Sequence, residues 1–126
     1  MTGDGLLDLV VGSSKILFIE NTGILKAPTF NTNNPIEFLD PASGGSSVAL
    51  GDIDNDGLVD MAVGGYHNVF FYKNIGTSTS PSFSSSSTGS ISFTQGWQGV
   101  ALGDMNSDGK LDLVIGHTYS RDLYYY

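Results

Sequence analysis

The sequence predicts an all-β fold made of the four-stranded blades of a β-propeller, and three observations lead to this prediction. An acidic loop occurs three times, and its aligned residues Asp4, Asp56 and Asp108 are spaced 52 residues apart. Each loop adjoins short apolar runs that are rich in β-branched residues and lack a helical period, which is typical of buried strands. An aromatic run follows at a similar place in each repeat. Equal spacing of this size indicates stacked supersecondary units, as in propellers and solenoids.

Each repeat carries the same order of strand signals. One apolar strand enters the loop, a second leaves it, and an aromatic third strand follows after a Gly-containing turn. An Asn-x-Gly turn then leads to a Pro-x-Phe segment, 28–30 or 81–83, which we expect to open a weaker, polar fourth strand. The strand that enters the loop is predicted at 47–51 and 99–103, and the strand that leaves it at 58–63 and 111–115. The aromatic third strand is predicted at 17–21, 69–74 and 123–126. Such a blade is buried at its inner end and exposed at its rim.

The strand signals, counted along the chain as three, then four, then three, predict about two and a half blades. Residues 1–46 would form a partial blade, 47–98 a complete blade and 99–126 a second partial blade. Single-chain propellers have roughly 4 to 8 blades, and Met1 stands directly before a truncated loop. We therefore expect a segment of a longer protein. Its incomplete outer blades would expose strand edges and sheet faces, which favours association with further blades or with copies of itself.

The acidic loop has the residue types of a calcium site. Calcium takes roughly 6 to 8 oxygen ligands at about 2.3–2.6 Å. Oxygen-bearing side chains stand at positions 1, 3, 5 and 9 of the loop, a glycine at position 6 lets the backbone turn, and position 7 offers a carbonyl oxygen. The predicted ligands are Asp52, Asp54, Asp56, Asp60 and the Leu58 carbonyl in the middle loop, and Asp104, Asn106, Asp108, Asp112 and the Lys110 carbonyl in the last loop.

The first loop lacks position 1 and has Thr2 at position 3, which leaves Asp4 and Asp8 as its candidate ligands. Position 12, where a helix-flanked calcium loop needs a bidentate Glu, is Val63 or Ile115 in the other two. We therefore expect a metal held in a turn between strands. The alternative is that Asp, Asn and Gly act as ordinary turn formers. Four carboxylates within nine residues favour a bound cation, because without one they repel each other.

The acidity of the chain is mostly that of these candidate ligands. The 126 residues include 13 acidic and 5 basic side chains, for a formal net charge of −8, and nine of the 13 acids lie in the three loops. We expect no nucleic-acid partner, because the sequence has no cluster of Lys and Arg. No apolar run reaches the ~18 to 20 residues of a membrane span. Because extracellular calcium modules bind at about 10⁻⁴–10⁻³ M, we expect an extracellular location.

Several motifs together resemble the FG-GAP and VCBS repeats: Val-Ala-Leu-Gly-Asp, Asp-x-Asp-x-Asp-Gly-x-x-Asp, Leu-Val-x-Gly, the aromatic strand, Asn-x-Gly and Pro-x-Phe. The resemblance covers nearly the whole chain. It implies a seven-bladed propeller that binds calcium at the positions named above, as in integrin alpha-subunit heads, fungal integrin-like lectins and secreted bacterial proteins. No Gly-Ala-Pro occurs, which favours the generic VCBS type over an integrin-like ligand role.

Four aromatic or imidazole residues are candidates for ligand binding: Tyr66, His67, Trp97 and Tyr119. Exposed rings beside polar groups can stack on sugar rings, and the resemblance to lectin propellers makes carbohydrate the expected ligand. The alternative is that the tyrosines cap their blades, that Trp97 fills a gap between blades and that the histidine is an ordinary loop residue.

These features favour a calcium-binding propeller segment of a secreted or cell-surface protein that serves recognition, adhesion or scaffolding. One alternative is the non-catalytic propeller part of an extracellular polysaccharide-degrading enzyme. Another is a structural unit that assembles with itself into a filament or ring. We expect no catalysis in this segment, because it has no cysteine and no serine in a nucleophile elbow.

Overall fold

The computed structural model describes residues 2–38, 47–84, 86–94, 96–119 and 122–126, which form ten β-strands in three antiparallel sheets. We name the sheets blade 1, blade 2 and blade 3. Blade 1 contains β1 (Leu9–Gly12), β2 (Ile16–Ile19) and β3 (Ile36–Phe38). Blade 2 contains β4 (Ser47–Gly51), β5 (Asp60–Gly64), β6 (Asn68–Tyr72) and β7 (Gly89–Ser92). Blade 3 contains β8 (Gln98–Gly103), β9 (Asp112–His117) and β10 (Leu123–Tyr125).

The all-β prediction is confirmed, and the described strands follow the predicted count of three, four and three. Each sheet is a meander in which strands that are consecutive in sequence pair with each other. The predicted blade boundary at residue 46 lies outside the described residues. In the described part of the chain there is no helix with the length and apolar character that crossing a membrane requires.

Blade 2 is buried on both faces because the side chains of β5 alternate between two cores. On one face, Met61 and Val63 pack with Ile16 of blade 1. On the other face, Ala62 packs in a cluster with Leu113 and other residues of blade 3. All five residues of β5 are buried, which explains why its residues 61–63 form a continuous apolar run rather than an alternating pattern.

Blade 3 keeps large apolar side chains exposed on the face that points away from blade 2. Leu123 is 73% exposed and Tyr125 is 53% exposed. The strand register identifies the counterpart of Leu123 in blade 2. Tyr124 pairs with Ile115 as Phe70 pairs with Val63, so Leu123 corresponds to Val69. Val69 is fully buried against blade 3. A further blade would bury Leu123 in the same way, as stacked repeats do.

The predicted start of the fourth strand is wrong. Phe30 and Phe83 each form only an isolated bridge, to Asn21 and Asn74 respectively. The strands that correspond to the predicted fourth strand, β3 in blade 1 and β7 in blade 2, begin further along the chain. The cause is the buried Asn74 side chain, whose Oδ1 accepts the N–H groups of Gly76 (2.9 Å) and Ser82 (3.1 Å). This side chain closes residues 75–82 into a compact loop, so the chain pairs with β6 only further on, at β7.

The same buried asparagine explains the Asn-x-Gly motif. Asn21 repeats the arrangement in blade 1, where its Oδ1 accepts the N–H groups of Gly23 (3.0 Å) and Thr29 (3.0 Å). A Cβ at Gly23 would lie 2.3 Å from the Ala27 carbonyl oxygen, and one at Gly76 would lie 2.4 Å from a carbonyl oxygen of its own loop. Only glycine fits where the two sides of the loop come this close.

Candidate metal centre

The three acidic loops, which we call the first (2–8), middle (52–60) and last (104–112) loops, share one backbone turn. Each has two residues, at positions 4 and 6, with φ in the left-handed region. They are Gly3 (78°) and Gly5 (84°) in the first loop, Asn55 (59°) and Gly57 (86°) in the middle loop, and Ser107 (62°) and Gly109 (86°) in the last loop. The glycine at position 6 was expected from the sequence. The left-handed residue at position 4 was not, although an asparagine tolerates that conformation.

The aspartate at position 1 organises the turn. The Asp52 carboxylate accepts the N–H groups of Asp56 (3.0 Å) and Gly57 (2.9 Å). Asp104 accepts the two corresponding bonds in the last loop, at 3.1 and 2.9 Å. Each of these oxygens keeps a second lone pair, so the bonds that shape the turn leave both carboxylates able to bind a cation.

The aspartate at position 9 joins the loop to the strands. Asp60 is only 2% exposed, and its two oxygens accept the N–H groups of Ile53 (3.0 Å) and Asn74 (2.8 Å). In the first loop, Asp8 accepts the N–H of Asn21 (3.1 Å), which corresponds to Asn74, and also that of Thr2 (3.0 Å). In the last loop, Asp112 accepts the N–H of Met105 (2.8 Å), which corresponds to Ile53. This residue therefore has a structural role whether or not a metal is bound.

Three of the four predicted carboxylate ligands of the middle loop converge. Asp52, Asp54 and Asp60 each offer an oxygen, and these atoms lie within 4.8 Å of one another. Two ligands on opposite sides of a calcium ion, each at about 2.4 Å, would be about 4.8 Å apart. The donor set is all oxygen, so its chemistry and spacing fit a hard divalent cation. Position 7, Leu58, directly follows the left-handed Gly57 in the same turn.

The fourth carboxylate, Asp56, is not part of this group, and it contacts Lys73, which also contacts Asp54. The Lys73 ammonium forms an ion pair with Asp54 and lies 2.9 Å from Asp56 Oδ2. Hydrogen bonding, first to Asp54 and then to Asp56, raises the pKa of Lys73 above its ordinary value. The hydrogen bond from Lys73 in turn holds the pKa of Asp56 below its ordinary value. The sequence did not reveal this partner, because Lys73 follows β6, well away from the loop in sequence.

The last loop has the same turn with a different third position. Asn106 replaces an aspartate there, and its Oδ1 accepts the N–H of Asp108 (2.9 Å) while its amide nitrogen donates weakly to the Tyr125 hydroxyl (3.4 Å). Among the described residues, Asp104, Asp108 and Asp112 do not form a cluster as close as that of the middle loop. Lys110 occupies position 7, where only its carbonyl is a predicted ligand.

The predicted ligand-binding residues gather at the opposite end of the blades from the acidic loops. The middle loop joins β4 to the start of β5, whereas Tyr66 and His67 lie in the turn after β5 ends. The Tyr66 ring meets the Trp97 ring edge-on, with centroids 5.2 Å apart, and the His67 ring at 4.3 Å. Trp97 is 38% exposed and Tyr119 is 67% exposed. The structure therefore brings Tyr66, His67 and Trp97 together.

Backbone contacts hold Trp97 at the junction of blades 2 and 3. Its N–H donates to Thr118 Oγ1 (3.1 Å), and its carbonyl accepts the Thr118 N–H (3.3 Å). The next residue, Gln98, donates its N–H to the Gly65 carbonyl of blade 2 (3.0 Å). Tyr119 follows Thr118, and a Cβ at Gly96 would lie 3.0 Å from its ring. These contacts give an aromatic surface whose rings come from two blades.

Comparison with known families agrees with the repeat seen in the fold. The model of the FG-GAP-like repeat family matches residues 1–63 and again residues 52–115. Searches of curated proteins and of solved structures each found no match. Each family match begins at an acidic loop and runs through the next loop into the strand behind it, β5 in the first match and β9 in the second. The resemblance inferred from the motifs is thus confirmed, and the chain belongs to the FG-GAP-like repeat family.

Proposed function

We propose that this chain is a calcium-binding β-propeller segment of a secreted or cell-surface protein. The observation that carries the proposal is the convergence of Asp52, Asp54 and Asp60 in one strand-to-strand turn. Hard divalent cations prefer such all-oxygen sites, and extracellular calcium modules work with modest affinity. Membership of the FG-GAP-like repeat family supports the propeller and the extracellular location.

The middle loop would hold the ion through these three carboxylates, Asp56 and the Leu58 carbonyl. A bound ion would neutralise the carboxylates that crowd the turn. Asp56 would have to turn away from Lys73 to join the other ligands, since its Oδ2 lies 2.9 Å from the ammonium. The last loop would use Asp104, Asn106, Asp108, Asp112 and the Lys110 carbonyl.

We expect the wild-type chain to bind two calcium ions and the variant Asp56→Ala to bind one. Removing Asp56 takes a ligand from the middle loop and leaves the last loop untouched. Asp108→Ala is the matched variant of the last loop and should also leave one ion. Magnesium should substitute poorly, because it demands shorter bonds in near-octahedral geometry. Isothermal titration calorimetry measures these stoichiometries, and a wild-type chain that takes up no calcium would refute the proposal.

The proposed role is recognition or scaffolding rather than catalysis. The loop carboxylates are engaged by backbone N–H groups and by Lys73. The two histidine rings lie against aromatic rings, His67 against Tyr66 and His117 against Phe93. These surroundings suit packing and binding better than proton transfer. Such a segment could equally belong to the propeller of an extracellular enzyme or to a self-assembling structure.

Carbohydrate binding is a second candidate function, favoured by the contact between the Tyr66 and Trp97 rings across two blades. Partly exposed rings with polar edges suit the apolar face and the hydroxyl groups of a sugar. The ligand would lie at the junction of blades 2 and 3, remote from the acidic loops.

We expect Trp97→Ala to weaken glycan binding by at least about tenfold, because a central aromatic anchor carries much of the energy of such a contact. The measurement is a glycan array on the calcium-loaded chain, followed by titration of any glycan it selects. Tyr126→Ala is the control, since Tyr126 is an exposed ring outside this surface. An array without a bound glycan, or equal losses in both variants, would contradict carbohydrate binding.

A further inference from the structure

Lys73 is held by its neighbours so that its side chain reaches the middle loop. It directly follows β6, whose last residue Tyr72 pairs with Met61 next to Asp60. The Tyr72 and Asn74 side chains on either side are buried, and the Asn74 N–H donates to Asp60 Oδ1 (2.8 Å). The backbone at Lys73 is therefore anchored to the loop through a carboxylate that is itself buried.

The Lys73 ammonium reaches the two acidic side chains of the loop that are exposed to solvent, Asp54 and Asp56. It pairs with Asp54, a member of the converging group, and with Asp56 at 2.9 Å. The Lys73 and Asp54 side chains are 40% and 42% exposed, so water and a competing ion can reach the pair. These are the same carboxylates that a calcium ion at this loop would need.

We propose that Lys73 is a tethered cation that takes the place of calcium at Asp54 and Asp56 when calcium is scarce, and that it thereby lowers the calcium affinity of the middle loop. This inference rests on the proposed function, since it concerns the same site. The ammonium relieves repulsion among the carboxylates in the calcium-free protein. A divalent ion must then displace it, or bind beside a like charge only a few ångströms away.

Blade 1 differs from blade 2 both at the place of Lys73 and at the third loop position. In blade 1, Ile19 pairs with Leu9 as Tyr72 pairs with Met61, so Glu20 stands at the place of Lys73. The third position of the first loop is the neutral Thr2, which lines one cavity together with Glu20. Blade 2 thus has a cation at this place and an acidic third loop position, whereas blade 1 has an acid at this place and a neutral third loop position.

The test is Lys73→Met, which keeps the length of the side chain and removes its charge. It is made in the Asp108→Ala background, so that the middle loop is the complete one. Two results are expected with opposite signs. The calcium-free melting temperature falls, because the carboxylates lose their counterion, while the calcium affinity rises by roughly three- to tenfold, as loss of exposed ion pairs predicts. Calorimetry and thermal unfolding in chelator measure the two.

Lys15→Met is the matched control. Lys15 forms an exposed ion pair with Glu37 at the turn between β1 and β2, away from the loop, so its loss removes the same charge. It should leave the calcium affinity within about twofold of the parent. In a chain that also carries Asp54→Asn and Asp56→Asn, Lys73→Met should no longer lower the calcium-free melting temperature.

The outcomes separate this inference from the proposed function. If the parent chain binds calcium at the middle loop and Lys73→Met leaves the affinity unchanged or weakens it, the inference is overturned and the calcium site stands. Weaker binding would show instead that Lys73 positions the ligands. If the parent binds no calcium at this loop, both are overturned.

Discussion

Removal of calcium is expected to lower the melting temperature of the chain by more than about 10 °C. A ligand that binds only the folded state at 100 times its Kd stabilises by about 2.7 kcal/mol, so two loops would contribute about 5 kcal/mol. For domains near this size, each kcal/mol shifts the melting temperature by roughly 2–8 °C. Thermal unfolding at a calcium concentration about 100 times the measured Kd and in excess chelator measures the difference.

A chain with one aspartate removed from each of the two complete loops, Asp56→Ala with Asp108→Ala, is the control for this experiment. Its melting temperature should be the same in calcium and in chelator, because no complete loop remains. If the wild-type curve is also unchanged by chelator, the loops are ordinary turns shaped by backbone hydrogen bonds such as those of Asp52. The experiment therefore decides between the two interpretations of the acidic loops.

The strands and loops could be predicted because their signals are local. The apolar run of β5 needed only its own residues to read as a buried strand, and the 52-residue spacing of Asp4, Asp56 and Asp108 was enough to predict stacked blades. The turn of the middle loop follows from Gly57 and from the short side chain of Asp52, both of which act on neighbours in sequence. Apart from the spacing of the repeats, these predictions concern interactions within a few residues.

The features that were missed depend on residues that are distant in sequence. Lys73 lies 19 positions from its partner Asp54, and no spacing rule for strands predicts that contact. Asn74 looked like an ordinary turn residue, but it is buried and closes a loop through Ser82, which moved the fourth strand. Trp97 and Tyr66 meet only because β8 packs beside β5. Such contacts follow from how the blades stack, which a local pattern does not contain.

Asp60→Ala is expected to destabilise the chain by about 2–5 kcal/mol even in chelator, where no calcium is lost. Asp60 is 2% exposed, and its oxygens accept the N–H groups of Ile53 and Asn74. Alanine would leave both donors without an acceptor, at about 1–3 kcal/mol for each buried group. This is a large part of the roughly 5–15 kcal/mol that stabilises an ordinary domain. Denaturant unfolding in excess chelator gives the free energy of unfolding.

Asp56→Ala is the matched control, because it removes the same side chain from the same loop at an exposed position. Asp56 accepts one N–H, from Leu58 (2.9 Å), and pairs with Lys73 at the surface, so its loss in chelator should destabilise the chain much less than the loss of Asp60. Asp60→Asn should fall between the two, since an amide keeps one acceptor oxygen but turns an N–H₂ group toward the other donor. Equal losses for Asp56→Ala and Asp60→Ala would show that the position-9 aspartate serves the metal alone. A larger loss for Asp60→Ala would show that this carboxylate joins loop and blade before any ion arrives.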